Sequence, residues 1–342
     1  MLDGSKYICV SQPHAGKREI MYTAMHMHSP DTELICLSDS DTYFLGDTIA
    51  EMVKVIDGHD NMRKEDPSMR ECAAVTGNVY IWNRENFLSY MSALRYWFAF
   101  NVERAADSYF GVVSCISGPL GLYKKSILDD IKEPWINQHF FGIKCSFGDD
   151  RHLTNLILGK GYSTYYTPKS TCKTDTPAEL LRWIAQQTRW SKSFYREFFI
   201  NIRAFHKQPF WLACQLVFQT IFPFFIIATL VWFVAASFAN YCIIFIMVVL
   251  MGTLRAILGC FRTKDAIYLY YSFYIVLYVL FLIPCKIFGL FTLWNNEWGT
   301  SDRFARAAPF IKAIHALIWA FLFTAYYIAM GIKHLATGSR VT

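Results

Sequence analysis

Leu34-Ile-Cys-Leu-Ser-Asp-Ser-Asp-Thr42 carries four apolar residues directly into two carboxylates spaced i, i+2. A short apolar run bounded by polar residues reads as a buried strand of an α/β sheet. Ligands of such sheets sit beyond the carboxyl ends of the strands. Asp39 and Asp41 leave this strand where the chain turns, so oxygens from both can meet one hard divalent cation. Mg²⁺ or Mn²⁺ held there keeps several waters and takes its remaining ligands from substrate phosphates. A nucleotide-diphosphate site is built in this way. A solvated turn also carries Asp-x-Asp, so the pair takes its meaning from the rest of the chain.

The 342 residues are 54% hydrophobic with a formal net charge of +6, and the apolar excess is uneven. Up to about Arg203, charged and apolar segments alternate as in a soluble domain; beyond Pro209 long apolar tracts follow, and these read as membrane segments. The N-terminus, MLDGSKYICVSQPH, lacks the basic-then-apolar layout of a signal peptide. Ten scattered cysteines without a Cys-x-x-Cys pair suggest neither a zinc site nor a disulfide framework, and read as reduced thiols facing the cytosol.

Taken in order, Tyr7–Val10 reads as a first strand, and Gly16-Lys-Arg-Glu19 opens a helix through Met25. Lys17 and Arg18 near a helix start can hold a diphosphate, although a solvated helix start has the same composition. Asp47–Val55 reads as helix, Asp57–Glu71 as a polar loop, and Ala73–Tyr80 as a strand with a glycine interruption. Phe87–Tyr109 is a long amphipathic helix with an aromatic face at Tyr90, Trp97 and Phe98, which suits packing on a sheet. In Cys115-Ile-Ser-Gly-Pro-Leu-Gly-Leu-Tyr123, Gly118 and Gly121 around Pro119 make a side-chain-poor turn that a bulky ligand can approach closely. Lys144-Cys-Ser-Phe-Gly-Asp-Asp-Arg-His152 then leads into a helix, His152–Leu158. Its adjacent carboxylates, Asp149 and Asp150, also suit plain capping. Ala178–Phe199 forms a further helix containing Gln186-Gln-Thr-Arg-Trp190, and its mixture of basic and aromatic residues suits a membrane interface.

In the apolar part, Phe210–Val234, Tyr241–Leu258 and Phe310–Met330 are long enough to span a bilayer. Arg203 and Lys207 precede the first span, and Arg255, Arg262 and Lys264 end the second, so both outer ends are expected in the cytosol. The tract Ala266–Phe291 is tyrosine-rich and broken by Pro284 and Lys286. It is expected to lie in the interface rather than cross, which keeps Trp298-Gly-Thr-Ser-Asp-Arg303 on the cytosolic side.

Six motifs then stand in order: Gly16-Lys17-Arg18, Asp39-Ser-Asp41, Ser117-Gly118-Pro119-Leu-Gly121, Lys144-Cys-Ser-Phe-Gly-Asp-Asp-Arg151, Gln186-Gln-Thr-Arg189-Trp190 and Trp298-Gly-Thr300-Ser301. With these, nearly the whole chain resembles the membrane-embedded processive glycosyltransferases of family 2, most closely the hyaluronan synthases of the animal type. Gln-x-x-Arg-Trp separates the processive β-glycan synthases from most relatives, and the Lys144–Arg151 block points to hyaluronan rather than cellulose. Against the family pattern, the N-terminal transmembrane helices, a first acidic strand and a final transmembrane helix are absent. The chain is therefore expected to be an internal fragment or the product of an incomplete gene model.

The resemblance implies a GT-A-type α/β catalytic domain with an incomplete Rossmann-like sheet over residues 1–176, interface helices over 177–208, and a transmembrane region over 209–342 with a gating loop at 295–305. It implies UDP-GlcNAc and UDP-GlcA as donors, a growing hyaluronan chain as acceptor, a plasma-membrane location, and Mg²⁺ or Mn²⁺ on Asp41 and Asp39. Asp150 is the expected general base, with Asp149 the alternative. Lys17, Arg18, Asp39, Ser117, Gly118, Pro119, Gln186, Arg189, Trp190, Trp298, Thr300 and Ser301 are the expected substrate contacts. The other readings are a chitin synthase-like enzyme, an inactive membrane subunit or fragment, and a transporter; the last leaves Asp39, Asp41 and Asp150 unexplained.

Overall fold

Cys72-Ala-Ala-Val-Thr-Gly-Asn-Val-Tyr-Ile81 is nearly free of charge and bulk, and it becomes the central strand, buried along almost its whole length. A strand covered on both faces needs such a composition. The computed structural model describes residues 8–13, 15–236, 238–296 and 307–337. The first part of the chain runs α1 (Lys17–Ala24), β1 (Leu34–Leu37), β2 (Tyr43–Leu45), α2 (Thr48–Glu65), β3 (Cys72–Ile81) and α3 (Phe87–Phe98). A π-helical turn (Ala99–Arg104) leads to α4 (Ala105–Tyr109), β4 (Gly121–Lys124), α5 (Lys125–Ile136), the short strands β5 (His139–Phe140) and β6 (Ile143–Lys144), α6 (Asp149–Gly159) and β7 (Ser163–Thr174).

The main sheet has the order β1-β4-β3-β7-β2. Strand β3 pairs parallel with β7 and antiparallel with β4, while β1 and β2 form the antiparallel edges. The parallel register shifts between Gly77 and Asn78, opposite Pro168 and Lys169 of β7. A bulge there removes the demand for a donor that proline cannot supply. Gly77 is also sterically required: a Cβ would lie 2.5 Å from Leu120 Cδ2 and from the Ser170 carbonyl oxygen. The core beneath the sheet joins Met52 and Ile56 of α2, Trp135 of α5, and Leu153 and Ile157 of α6.

Several local expectations change. Ile8–Val10 form no strand; they are exposed and pair with none among the described residues. Strand β1 is a half-buried edge rather than a fully buried strand. The stretch from Asp57 read as a loop continues α2 to Glu65, because its inner face packs on the sheet while its polar face is solvated. There His59 stacks on Tyr165 at 3.7 Å between ring centroids, and Asp60 accepts from Lys124 Nζ at 2.6 Å. Helix α6 begins at Asp149, three residues earlier than expected. Gly148 makes the turn into it at φ 84°, and a Cβ at that position would sit 2.2 Å from Ser193 Oγ.

The second part contains α7 (Leu180–Asn201), a 3-10 turn (Ile202–Lys207), α8 (Phe210–Ala236) and α9 (Phe238–Thr263). A 3-10 stretch (Ala266–Phe273), α10 (Tyr274–Leu277), a π turn (Tyr278–Leu282), α11 (Ile283–Phe291) and α12 (Ala307–Thr337) complete it. Three described stretches are long and apolar enough to cross a bilayer: Phe210–Val231, Ala266–Phe291 and Ala313–Ala336. They differ in setting. In the second, 39% of the apolar window is buried within the protein, against 11% in each of the others, and its helix is broken into 3-10, α and π pieces.

The start of α8 is clamped to the α/β domain. Gln208 Nε2 donates to the carbonyl oxygens of Leu158 and Tyr162, and Trp211 stacks on Phe110 at 5.1 Å. The buried Asp107 carboxyl accepts from Trp211 Nε1 at 3.3 Å and Gln215 Nε2 at 3.0 Å; burial pushes its pKa up to about 6. A second apolar cluster, with Leu94 and Phe98 of α3, Trp183 and Ile184 of α7, Cys285 of α11 and Ala313 and Ala316 of α12, joins the α/β domain to the apolar helices.

Candidate active site

The carboxyl end of β1, the N-terminus of α1, the Ser117–Gly118 turn and the first turn of α6 converge on one solvent-open cleft. Its empty volume is about 370 Å³, and Lys17, Asp39, Ser117, Gly118, Asp149 and Asp150 line it. Of the residues singled out from the first four motifs, Lys17, Asp39, Ser117, Gly118, Asp149 and Asp150 line the cleft; Arg18 is buried behind it, and Asp41 and Pro119 are not among the lining residues. Gly118 passes so close to Asp39 that a Cβ would lie 3.0 Å from Oδ2, and Ser38 Oγ donates to the Pro119 carbonyl at 2.9 Å. The glycine-proline turn is therefore built against the Asp39 carboxylate. Ser117 Oγ is buried and has no hydrogen-bond partner among the described residues, which leaves a polar atom available at the cleft wall.

The two adjacent carboxylates of α6 have different environments. Asp149 is 5% exposed, with Arg18 Nε 3.6 Å from Oδ1 and Lys17 Nζ 3.9 Å from Oδ2. Burial raises its pKa and outweighs the lowering effect of Lys17 and Arg18. Asp150 is less enclosed. Its Oδ1 accepts from the Arg151 backbone N–H at 2.8 Å, and its Oδ2 accepts from the weak Cys115 S–H donor at 3.5 Å. One carboxylate is held between two cations; the other presents a lightly engaged oxygen to the cleft.

Lys17 bridges the two sides of the site, ion-paired with Asp39 and facing Asp149. Burial works against its charge, but Asp39 and Asp149 outweigh burial and its pKa is raised, so it is a cation at neutral pH. Arg18 is placed differently from the expectation of a direct diphosphate contact. It is 1% exposed and does not line the cleft. Its guanidinium donates to the carbonyl oxygens of Trp135 and Phe147, both at 3.3 Å, and to Gln138 Oε1 at 2.9 Å.

Helix α7 brings Arg189 into the field of Asp149, Asp150 and Asp39, although burial lowers its pKa. Trp190 remains exposed and lies 6.5 Å from the Tyr96 ring. Gln186 is half-buried, and its Oε1 has no hydrogen-bond partner among the described residues. Trp298, Thr300 and Ser301 lie outside the described residues. The chain just before them is anchored: Ser146 Oγ donates to the Asn296 carbonyl at 2.6 Å, and Arg196 Nε donates to the Leu293 carbonyl at 2.9 Å.

Asp41 is exposed, with Thr174 Oγ1 3.4 Å from its Oδ1. Among the described residues no group of three or more His, Cys, Asp or Glu side chains could enclose a metal. Asp39, ion-paired with Lys17, and the exposed Asp41 are the carboxylates at the end of β1, and a cation such as Mg²⁺ asks the protein for only one or two carboxylates.

Tyr96 was not singled out in the sequence. It stands in the field of Arg104, Asp39, Asp150 and Asp41, and burial raises its hydroxyl pKa. It lies on the aromatic helix that the sequence implies, whereas Trp97 and Phe98 of that helix pack on Tyr268 and Tyr271 of the 3-10 stretch.

Residues 3–193 match the model of glycosyltransferase like family 2. The chain is 43% identical over 317 residues to hyaluronan synthase 3 of Homo sapiens and to hyaluronan synthase 2 of Gallus gallus, with 92% of this chain and 56% of each relative covered. It thus spans about half the length of the curated relatives it matches. Among solved structures, a mannosyltransferase from Pyrobaculum calidifontis in complex with GDP-Man and Mn²⁺ aligns with a TM-score of 0.47 and 20% identity, covering 78% of this chain and 67% of the other. The matched family region contains the sheet, the cleft and the Gln186–Trp190 motif together, and the chain belongs to glycosyltransferase like family 2.

Proposed function

We propose that this chain carries the catalytic machinery of a processive, inverting glycosyltransferase that polymerises hyaluronan from UDP-GlcNAc and UDP-GlcA and passes the polymer across the membrane. The observation that carries the reading is the convergence of Lys17, Asp39, Asp149 and Asp150 on one cleft, with Arg189 within the electrostatic field of its carboxylates, in a chain similar to hyaluronan synthases over 92% of its length. Lys17 and Arg189 offset the charge of a UDP diphosphate. Asp41 and Asp39 would hold a divalent cation, which would add neutralising charge at the UDP diphosphate.

Asp150 Oδ2 takes the proton of the acceptor hydroxyl as that oxygen attacks the anomeric carbon from the face opposite UDP. The new carbon–oxygen bond forms as the bond to the β-phosphate oxygen breaks, and its electron pair leaves on UDP. One displacement inverts the centre, so α-linked donors give β-linkages. Trp190 and Tyr96 offer aromatic surface for the acceptor sugar. The purified chain is incubated with each UDP-sugar separately and with both. Polymer is expected only with both; polymer from UDP-GlcNAc alone indicates a chitin-type enzyme, and no polymer under any condition rejects activity of the chain.

The topology belongs to the same reading. The α/β domain is cytosolic, and the chain is multi-pass in the plasma membrane. Ala266–Phe291 lies in the interface, which keeps positions 298–303 on the nucleotide side. The higher burial of that tract within the protein supports this arrangement. A cysteine introduced at position 299 is expected to resist an impermeant thiol reagent added outside sealed cells; modification from outside makes Ala266–Phe291 a true span.

A further inference from the structure

Helix α7 carries an acid among its basic residues, Glu197, and it is 3% exposed. A carboxylate so deeply buried persists only with dedicated partners. Glu197 has three. Gln138 Nε2 donates to Oε1 at 2.5 Å, Asn155 Nδ2 donates to Oε2 at 2.9 Å, and His152 Nδ1 lies 3.0 and 3.1 Å from the two oxygens. Burial alone raises a carboxyl, but His152 and the amide donors outweigh it and the Glu197 pKa is lowered. The group is therefore an anion, a pure acceptor for three donors arriving from α6 and from the segment after α5.

The chain of contacts continues to the cleft. With Nε2 committed to Glu197, the Gln138 amide presents Oε1 to Arg18 Nη1 at 2.9 Å. Arg18 Nε in turn faces Asp149 Oδ1 at 3.6 Å. Trp135, whose carbonyl accepts from Arg18, donates its indole N–H to the Asp149 carbonyl at 2.9 Å. The first two links are hydrogen bonds with one sense, the carboxylate setting the amide and the amide setting the guanidinium; the last is the ion pair through which the guanidinium faces the Asp149 side chain.

We propose that Glu197 is a positioning residue for the donor site: through Gln138 it holds Arg18, and through Arg18 it holds Asp149 in the orientation that receives a nucleoside diphosphate at Lys17. The inference rests on the donor-site reading above. Its discriminating feature is the direction of the hydrogen bonds. A glutamine at position 197 supplies one acceptor and one NH₂ group, so one of the three donors faces another donor. If Gln138 turns its amide to escape, its NH₂ faces the Arg18 cation.

The test measures Mn²⁺-dependent UDP affinity by calorimetry, with thermal unfolding in parallel, on the purified full chain. E197Q is expected to bind UDP about 10-fold or more weakly, the scale seen when a supporting hydrogen-bond partner is lost. The exchange variant Q138E/E197Q is expected to return to within about threefold of wild type, since a carboxylate at 138 accepts from Arg18 and from the new amide. A purely structural role lowers the melting temperature and leaves the affinity of the folded protein unchanged.

E197Q that binds within about twofold of wild type overturns the inference alone; a wild-type chain that binds no UDP overturns the donor-site reading and the inference with it. If E197Q does not fold, the exchange variant decides. Folding with restored affinity supports the assignment, whereas folding with weak affinity, or failure to fold, overturns it.

Discussion

Asp150→Asn is expected to lower polymer synthesis by roughly 10²–10⁴-fold, the usual range for losing a general base, while UDP affinity stays within a few-fold of wild type. The expectation follows from the unequal settings of the two neighbouring carboxylates. Asp150 Oδ2 accepts from the weak Cys115 thiol at 3.5 Å, so replacing the carboxylate by an amide removes a proton acceptor at the cleft while exchanging one weak contact for another. Asp149 stands between Lys17 and Arg18, so Asp149→Asn removes the charge that both cations face and is expected to weaken UDP binding as well. Single-turnover rates and UDP titrations on the two variants separate these outcomes. If Asp149→Asn shows intact binding with lost turnover and Asp150→Asn does not, the base is Asp149.

Metal-dependent UDP binding should disappear in Asp41→Ala. The i, i+2 pair leaves β1 at an open edge, where a cation draws most of its shell from water and phosphate, so each protein carboxylate is a large share of the protein's contribution. Asp41 gives the cleaner experiment because it is exposed, and its only described side-chain neighbour within hydrogen-bonding reach is Thr174 Oγ1. Asp39→Ala also frees Lys17, which is its ion-pair partner. UDP affinity measured with and without Mn²⁺ gives the answer, and an Mn²⁺-dependent affinity retained within a few-fold of wild type rejects the assignment.

Local patterns reached far into this fold. The apolar run before Asp39, the buried strand around Ala73–Tyr80, the long aromatic helix from Phe87 and the apolar C-terminal tracts all produce the elements their periodicity implies. In each case one physical property repeats along the chain, so a window of sequence contains the information. Strand β7 has no local signature, because Ser163–Thr174 is mostly threonine, tyrosine, lysine and serine, with proline inside. It is a strand because β3 and β2 hold it on either side. Helix α2 was cut short at a run of polar residues that proved to be only its solvated face.

The same division runs through the site. The sequence by itself named the residue types that meet near the cleft: a carboxylate after a strand, a glycine turn, adjacent acids at a helix start and, on the neighbouring helix, an arginine whose charge reaches them. Their spacing is short and their chemistry is declared by the side chains. Only the tertiary structure decided how those groups differ from one another. Asp149 and Asp150 both line the cleft, but Asp149 is enclosed between Arg18 and Lys17 while Asp150 is only partly buried, and Gly148 lets the start of α6 pack against Ser193 of α7. Arg18 became a buried brace, and Glu197 its distant support, through partners 120 and 59 residues apart in sequence. Burial and hydrogen-bond direction depend on what arrives from elsewhere in the chain, so no local stretch could have specified them.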